Sequence, residues 1–425
     1  MKSLPIDAPI LPTPGKYRFN GARELDGKLV IEAESIELHT RCPHCGSKDV
    51  RSWSSNVLVF QDIPYRKKKV QISIKGIRQR CHDCKKTFMQ PLPGMSQKRH
   101  MTERLLRHIA EEGARRPFTP VAEEIGIAET TVRHVFADFV AEMEEKVHIK
   151  TPRWLAMTEV ILAERKVPRL LVLNAEAWTV VDLLESPNAA RVGAFLGSLR
   201  SPETVKLVGI GLDVSYPDLV AQHLAGATVF VDKAHVLARF VEAGLAAVKH
   251  LRSQMSLYER RKFDDRQILL TIDGEMPGEI RPQFGERLER YPLLKNLRSG
   301  AEALHAVYDK PMKGKDAIAA MGSVFTSLDP EVREHFSGLE ALMLQLLPQV
   351  QAYFDHRCAS ASIAALGDLS DLGQVIDHAG HGRAFEALRA QLLYPKYFPA
   401  FSVAVTGPGI AGLRSRFRSE TQTPA

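Results

Sequence analysis

Two hydrophobic rhythms run along this chain. LVIEAESIELH (Leu29 to His39) alternates apolar and polar residues, the period of a half-buried strand. The same alternation runs through NVLVFQDIPY and KKKVQISIKGIRQR, which predicts a long hairpin. From Thr102 to about Lys150 the spacing becomes helical, broken by Pro117 and Pro120, and Thr151-Pro152 marks a boundary. Beyond it lie five strand-like runs: LAMTEVIL (155–162), RLLVLNA (169–175), TVVDLL (179–184), VKLVGIGL (205–212) and TVFVD (228–232). Helical patterns separate the later ones, which predicts a mixed sheet with crossover helices. From Ala234 to about Leu393 nearly everything reads as amphipathic helix, and the tail from Tyr394 is richer in Pro, Gly and Arg.

Composition narrows the class. With 44% hydrophobic and 25% charged residues over 425 positions, global disorder is excluded and about three domains are expected. No run approaches the ~18 apolar residues of a membrane helix. The Pro-rich start, MKSLPIDAPILPTPGKY, lacks the continuous apolar stretch of a secretory signal, so a cytoplasmic protein is expected.

Charge is more informative when located. Between Gln61 and Arg116 fifteen Lys or Arg face five Asp or Glu, a balance of +10 inside a chain of net +7. The remainder is therefore slightly acidic. Such concentration favours a polyanionic partner, most often nucleic acid, over a merely solvated basic face.

That segment overlaps two cysteine pairs, Cys42-Pro-His-Cys45 and Cys81-His-Asp-Cys84. Two residues between paired cysteines set both thiolates on one tight turn, and two such knuckles supply four tetrahedral ligands for structural Zn2+. A redox CxxC or incidental thiols would be the blander readings, but the hairpin text between the pairs would bring the knuckles together as a ribbon. Gly46 suits a turn with positive φ, His44 and His82 read as spectators, and Cys358 stands alone. Arg66, Lys67, Lys68, Lys69, Lys75, Arg78 and Arg80 make the hairpin surface a phosphate contact, which positions a duplex without reading its bases.

Downstream, FTPVAEEI, Gly126-Ile127 and AETTVRHVF have helix-turn-helix grammar. Val121, Ala122 and Ile125 would face inward, Ile127, Val132 and Val135 would pack the second helix back, and Glu129, Thr130, Thr131, Arg133 and His134 would stand at its exposed start, where base edges are read.

The order of zinc ribbon, helix-turn-helix and sheet-plus-helices domain resembles the zinc-ribbon DDE transposases of bacterial insertion sequences, the ISL-three group. RCPHCGS, RQRCHDCKKTF, IGIAETTVRHVF, VDKAHVLARFVEA, YPLLKNLRSGAEALHAVYD and TGPGIAGLRSRF carry the resemblance, from about Arg41 to Phe417. It implies a multidomain α+β chain: a lead-in over 1–40, a zinc ribbon over 41–95 and a helix-turn-helix region over 96–150. A ribonuclease-H-like α/β core would follow over 151–250, interrupted by a helical insertion over 251–393 and completed by 394–425. It also implies two metal ions held by three acids. The positions that match those acids are Thr158, Gly211 and Ala411, so all three acids are replaced. Glu159 would point to the face opposite Thr158, Asp213 is displaced by two residues, and Asp232, in Asp232-Lys-Ala-His235, matches a supporting acid of the family.

The sequence therefore predicts a DNA-binding, transposase-derived protein deficient in strand cleavage, homo-oligomeric and nucleoid-associated, with no membrane partner. The alternative is an active transposase that holds Mg2+ on a site rebuilt from Glu159, Asp213 and Asp232.

Overall fold

The computed structural model describes residues 11–13, 15–162, 167–177, 179–253, 288–356 and 385–394. The chain divides into two units, Met1–His148 with Ala379–Ser402, and Ile149–His378 with Val403–Ala425.

The first unit is built on a sheet of order β1-β2-β4-β3-β7-β6. Its strands are β1 (Tyr17–Leu25), β2 (Lys28–Ser35), β3 (Val50–Tyr65), β4 (Lys68–Cys81), β5 (Thr87–Met89, on β4), β6 (Met95–Ser96) and β7 (Met101–Thr102). The expected long hairpin is β3 against β4, antiparallel from Val50↔Cys81 to Tyr65↔Lys68. Alternation in β4 buries Val70, Ile72 and Ile74 against Phe60 and Ile31. The lead-in adds β1 and β2, with β2 parallel to β4.

Three helices follow. α1 (Glu103–Arg115) starts at Thr102, whose hydroxyl accepts from the Leu105 N–H at 3.1 Å. The same hydroxyl donates to buried Asp62 of β3 at 2.6 Å, and Arg104 Nε donates to that carboxylate at 2.8 Å, so one acid ties the sheet to the helix start. α2 (Phe118–Ile125) begins after Pro117 and ends at Gly126, left-handed at φ +80°. α3 (Glu129–Lys146) buries Val132, Val135, Phe136 and Met143. Gly113 of α1 lets Phe118 approach; a Cβ there would lie 3.1 Å from its ring.

The second unit holds a sheet of order β10-β9-β8-β11-β12: β8 (Trp154–Leu162), β9 (Val167–Asn174), β10 (Thr179–Leu184), β11 (Leu207–Ile210) and β12 (Thr228–Val231). β8, β9 and β10 are antiparallel, whereas β11 lies parallel to β8 and β12. α4 (Ala189–Ser198), α5 (Tyr216–His223) and α6 (Lys233–Ser253) follow strands β10, β11 and β12. α7 (Pro292–Asp309), α8 (Gly314–Ser327), α9 (Pro330–Arg333), α10 (Ser337–Gln345) and α11 (Leu347–Asp355) pack through aromatic rings. Tyr308 stacks on Phe354 at 5.3 Å, Phe240 meets Phe336 at 4.5 Å, and Phe230 of β12 meets Tyr353 at 6.4 Å. Among the described residues no helix is long and apolar enough to cross a membrane.

The last described helix, α12 (Phe385–Leu393), belongs to the first unit. It buries Ala387, Leu388, Ala390, Leu392 and Leu393, and the side-chain amide of buried Gln391 donates to the Ala114 carbonyl at the end of α1. Cys358, Ala411 and the segment TGPGIAGLRSRF lie outside the described residues.

Candidate metal centre and nucleic-acid interface

The two knuckles stand at one end of the β3–β4 hairpin. Cys81 closes β4 opposite Val50, and its N–H donates to the Lys86 carbonyl at 3.0 Å. In the first knuckle Gly46 N–H donates to the Cys42 carbonyl at 2.9 Å, with Gly46 at φ +75°, as its turn requires. The Sγ atoms of Cys42, Cys45, Cys81 and Cys84 all lie within 4.8 Å of one another. Cys42 and Cys84 are 3.6 Å apart, as are Cys45 and Cys81. Tetrahedral Zn–S bonds of about 2.3 Å separate sulfurs by about 3.8 Å, close to the spacing of these two pairs, so the set suits that ion. The crowded thiols shift in opposite directions: the Cys84 backbone N–H beside the Cys81 sulfur lowers that thiol to about 7, while the neighbouring sulfurs help push Cys45 up to about 12. His44 packs its ring against Phe88 at 6.0 Å instead of joining the sulfurs.

The basic residues fall along this hairpin and at the start of α3. Arg66 and Lys67 form its tip, both at positive φ (48° and 64°), with the Arg66 guanidinium 5.2 Å from the Tyr65 ring centre. Lys68 pairs with Glu24 at 2.5 Å. The end of Lys69 crosses Gly126, where a Cβ would lie 2.2 Å from its Cε and Nζ, so the hairpin reaches the turn between α2 and α3. Arg78 is exposed, and Arg80 lies over the Trp53 ring at 4.4 Å.

Val121, Ala122 and Ile125 are buried in α2, Val132 and Val135 in α3, while Ile127 keeps intermediate exposure. Thr130, Arg133 and His134 are exposed, and Thr131 is partly so. Arg133 is held on three sides: by Glu129 at 2.8 Å, by Glu386 of α12 at 3.6 Å, and over the Phe118 ring at 5.3 Å. The α12 contact is one that sequence could not supply.

In the second unit, Thr158 is buried on β8, opposite Leu171 of β9. Gly211 follows β11; a Cβ there would sit 3.4 Å from His235 Nδ1, so the imidazole already fills the space beside it. Burial lowers the His235 pKa. One oxygen of Asp213, Oδ1, holds the turn into α5, accepting from Ser215 N–H at 2.8 Å and Ser215 Oγ at 2.7 Å. Partial desolvation, and then the charge of Asp213, raise the Glu159 carboxyl above its usual range, with Arg239 opposing. Asp232 is fully buried at the end of β12. Among the described residues the four cysteines are the only group of three or more His, Cys, Asp or Glu placed to share a metal, so Glu159, Asp213 and Asp232 do not form one.

No curated protein matches the chain. Residues 158–367, a span that opens at Thr158 and covers much of the second unit, match the family model of DDE transposases of the ISL-three group, whose description is transposase.

Proposed function

We propose that this chain is a transposase-derived DNA-binding protein whose nuclease-like core no longer cuts strands. Two antiparallel pairings followed by two parallel ones in the second sheet, together with the transposase match, support a ribonuclease-H-like core. The α2–Gly126–α3 geometry supports a helix-turn-helix reader, and the sulfur cluster supports a zinc ribbon beside it. When bound, zinc would close the ribbon as a structural ion; it supplies no bond-breaking chemistry. Arg66, Lys67, Lys68, Lys69, Arg78 and Arg80 would hold phosphates, while Thr130, Thr131, Arg133 and His134 would meet base edges.

The observation that carries the loss of cleavage is the chemistry at the metal positions. In-line phosphodiester chemistry of this class needs carboxylates that hold divalent cations against the transferring phosphate. Thr158 offers a buried neutral hydroxyl and Gly211 only hydrogen, beside an imidazole. Neither supplies the negative charge that retains Mg2+ at ordinary concentrations. Removing clustered acids also removes their mutual repulsion, so the fold survives the loss.

One observation favours the alternative of a rebuilt cutting site: after partial desolvation, the charge of Asp213 also raises the Glu159 carboxyl, so the two acids feel each other. Asp213 Oδ1 nevertheless holds the Ser215 turn, and among the described residues no third acid joins the pair to share a metal. The test uses one zinc-loaded sample and two readouts. The full chain should retard duplex DNA on a gel, and its melting temperature should not change when millimolar Mg2+ or Mn2+ is added. Failure to bind DNA would remove the first half of the proposal; a clear rise in melting temperature with Mg2+ that Glu159→Gln abolishes would remove the second.

A further inference from the structure

Trp53 stands out on the ribbon hairpin. Its neighbours Ser52 and Ser54 pair with Gln79 and Arg78, consecutive residues of β4, so Trp53 is the extra residue of a β-bulge. Bulges re-aim a side chain and recur beside functional surfaces. This one sets the indole against Arg80, whose guanidinium lies 4.4 Å from the ring centre, and leaves the residue 60% exposed. Arg80 thus covers one side of a large aromatic surface that is otherwise left to water.

The surroundings narrow what could cover it. Between Val50 and Phe60, β3 pairs with β4 on one side and with no other strand among the described residues; its contact with β7 is at Gln61. The exposed residues of this edge are Arg51, Ser52, Trp53, Ser54, Ser55 and Asn56, followed by Val57 and Val59; the row holds no acid, and Arg51 pairs with Asp49 just before it at 3.4 Å. Across the whole hairpin, 50–81, eight Lys or Arg accompany a single acid, Asp62, and that acid is buried with Thr102 and Arg104. The outer surface of the hairpin strands therefore carries no carboxylate. A second copy would set this basic hairpin against another like it, whereas a nucleic-acid strand brings a phosphate for each base.

We propose that Trp53, backed by Arg80, is a stacking platform for an unpaired DNA base. Like the phosphate contacts it sits among, the platform rests on the DNA-binding reading above, but it assigns a different role. Phosphate contacts hold any duplex; an aromatic face takes a base only where that base is out of its pair. Arg80 polarises the ring it covers and adds a charge near the backbone of the same nucleotide. The exposed hydroxyls of Ser52, Ser54 and Ser55 are donors for the sugar and phosphate. The ribbon would then favour DNA that is single-stranded, nicked or frayed over intact duplex.

The test compares the full chain with Trp53→Ala, Trp53→Phe and Arg80→Ala on an oligothymidylate and on a duplex of equal length, by fluorescence anisotropy at several salt concentrations. Trp53→Ala should weaken single-strand binding about tenfold or more, the worth of one base stacked on an aromatic ring, with duplex affinity within about twofold. Its salt slope should not change, since no charge is lost; Arg80→Ala should lower both affinity and slope. Trp53→Phe should keep most of the single-strand affinity. Because Trp53 is exposed, an unchanged zinc content establishes that each variant is folded. Equal losses on both DNAs, or none on either, would overturn the platform. So would a wild-type dimer that Trp53→Ala converts to monomer without altering DNA affinity, because the indole would then cover a second copy. Wild-type protein that binds the duplex and ignores the single strand refutes the platform alone; protein that binds neither refutes the DNA-binding reading as well.

Discussion

Replacing Cys81 by serine tests the ribbon at its most buried ligand. Cys81 is fully buried at the end of β4, 3.6 Å from the Cys45 sulfur, and its backbone pairs with Val50 and Lys86. Apparent binding free energies of structural zinc in small peptide domains are about 10–16 kcal/mol, so an even share among four thiolates is about 3 kcal/mol, or roughly a hundredfold in affinity. Serine does not ionise at neutral pH and leaves three thiolates. Cys81→Ser should therefore lose its metal to a chelator that leaves wild type loaded. Hydrogen exchange should rise across both knuckles and the adjoining ends of β3 and β4, while Phe60 and Ile72, in the sheet core, stay protected. His44→Ala is the control and should keep stoichiometric zinc, because the His44 ring meets Phe88, while its bond to the Cys42 sulfur comes from the backbone N–H, which alanine keeps. Metal analysis would refute the reasoning if it found no zinc in wild-type protein purified without chelator. Full retention in Cys81→Ser would refute it too.

Other outcomes rest on named contacts. Lys67→Ala with Lys68→Ala should flatten the salt dependence of DNA binding, whereas Arg133→Ala should blur sequence preference by about 1–3 kcal/mol at one base pair; equal losses on all sequences would make Arg133 a backbone contact. Leu388→Ala, deep in α12, should destabilise the first unit by about 2–5 kcal/mol, read as faster exchange in α1 and α3; unchanged exchange there would separate α12 from that unit. His235 titrates below the ordinary imidazole range because it is buried, so the unfolded chain binds a proton more readily. Its contribution to stability is complete above about pH 6.5 and is lost as pH falls through that value toward the folded pKa. Gly211→Asp should place a carboxylate by the ring and raise the His235 pKa in an NMR titration, and a fall would contradict the geometry.

Strong local signals made the ribbon legible in sequence. CxxC spacing fixes each knuckle, and strict alternation in VQISI fixes the strand between them. β1 was hidden because YRFNGAREL is mostly exposed and carries little alternation. It exists because β2 pairs with it. Asp62 counted only as one acid in a basic stretch, whereas tertiary contacts make it a buried anchor for Thr102 and Arg104. No periodicity marks the bulge at Trp53, which depends on how Ser52 and Ser54 register with β4. The return of α12 to the first unit spans 277 residues between Gln391 and Ala114, a separation that local pattern cannot bridge. The residues at 158 and 211 were readable one by one, but that His235 stands against Gly211 required the fold.

Strand cleavage is what separates a silent core from a working transposase. The direct measurement selects from random duplexes the DNA that the full chain retains. That DNA is then incubated with the zinc-loaded protein and Mg2+ or Mn2+, and nicked and joined products are counted on a denaturing gel. The account predicts retained DNA that stays intact with either metal. Metal-dependent nicks that disappear in Glu159→Ala or Asp213→Ala would mean that a cutting site has been rebuilt from those acids, and the account would be wrong.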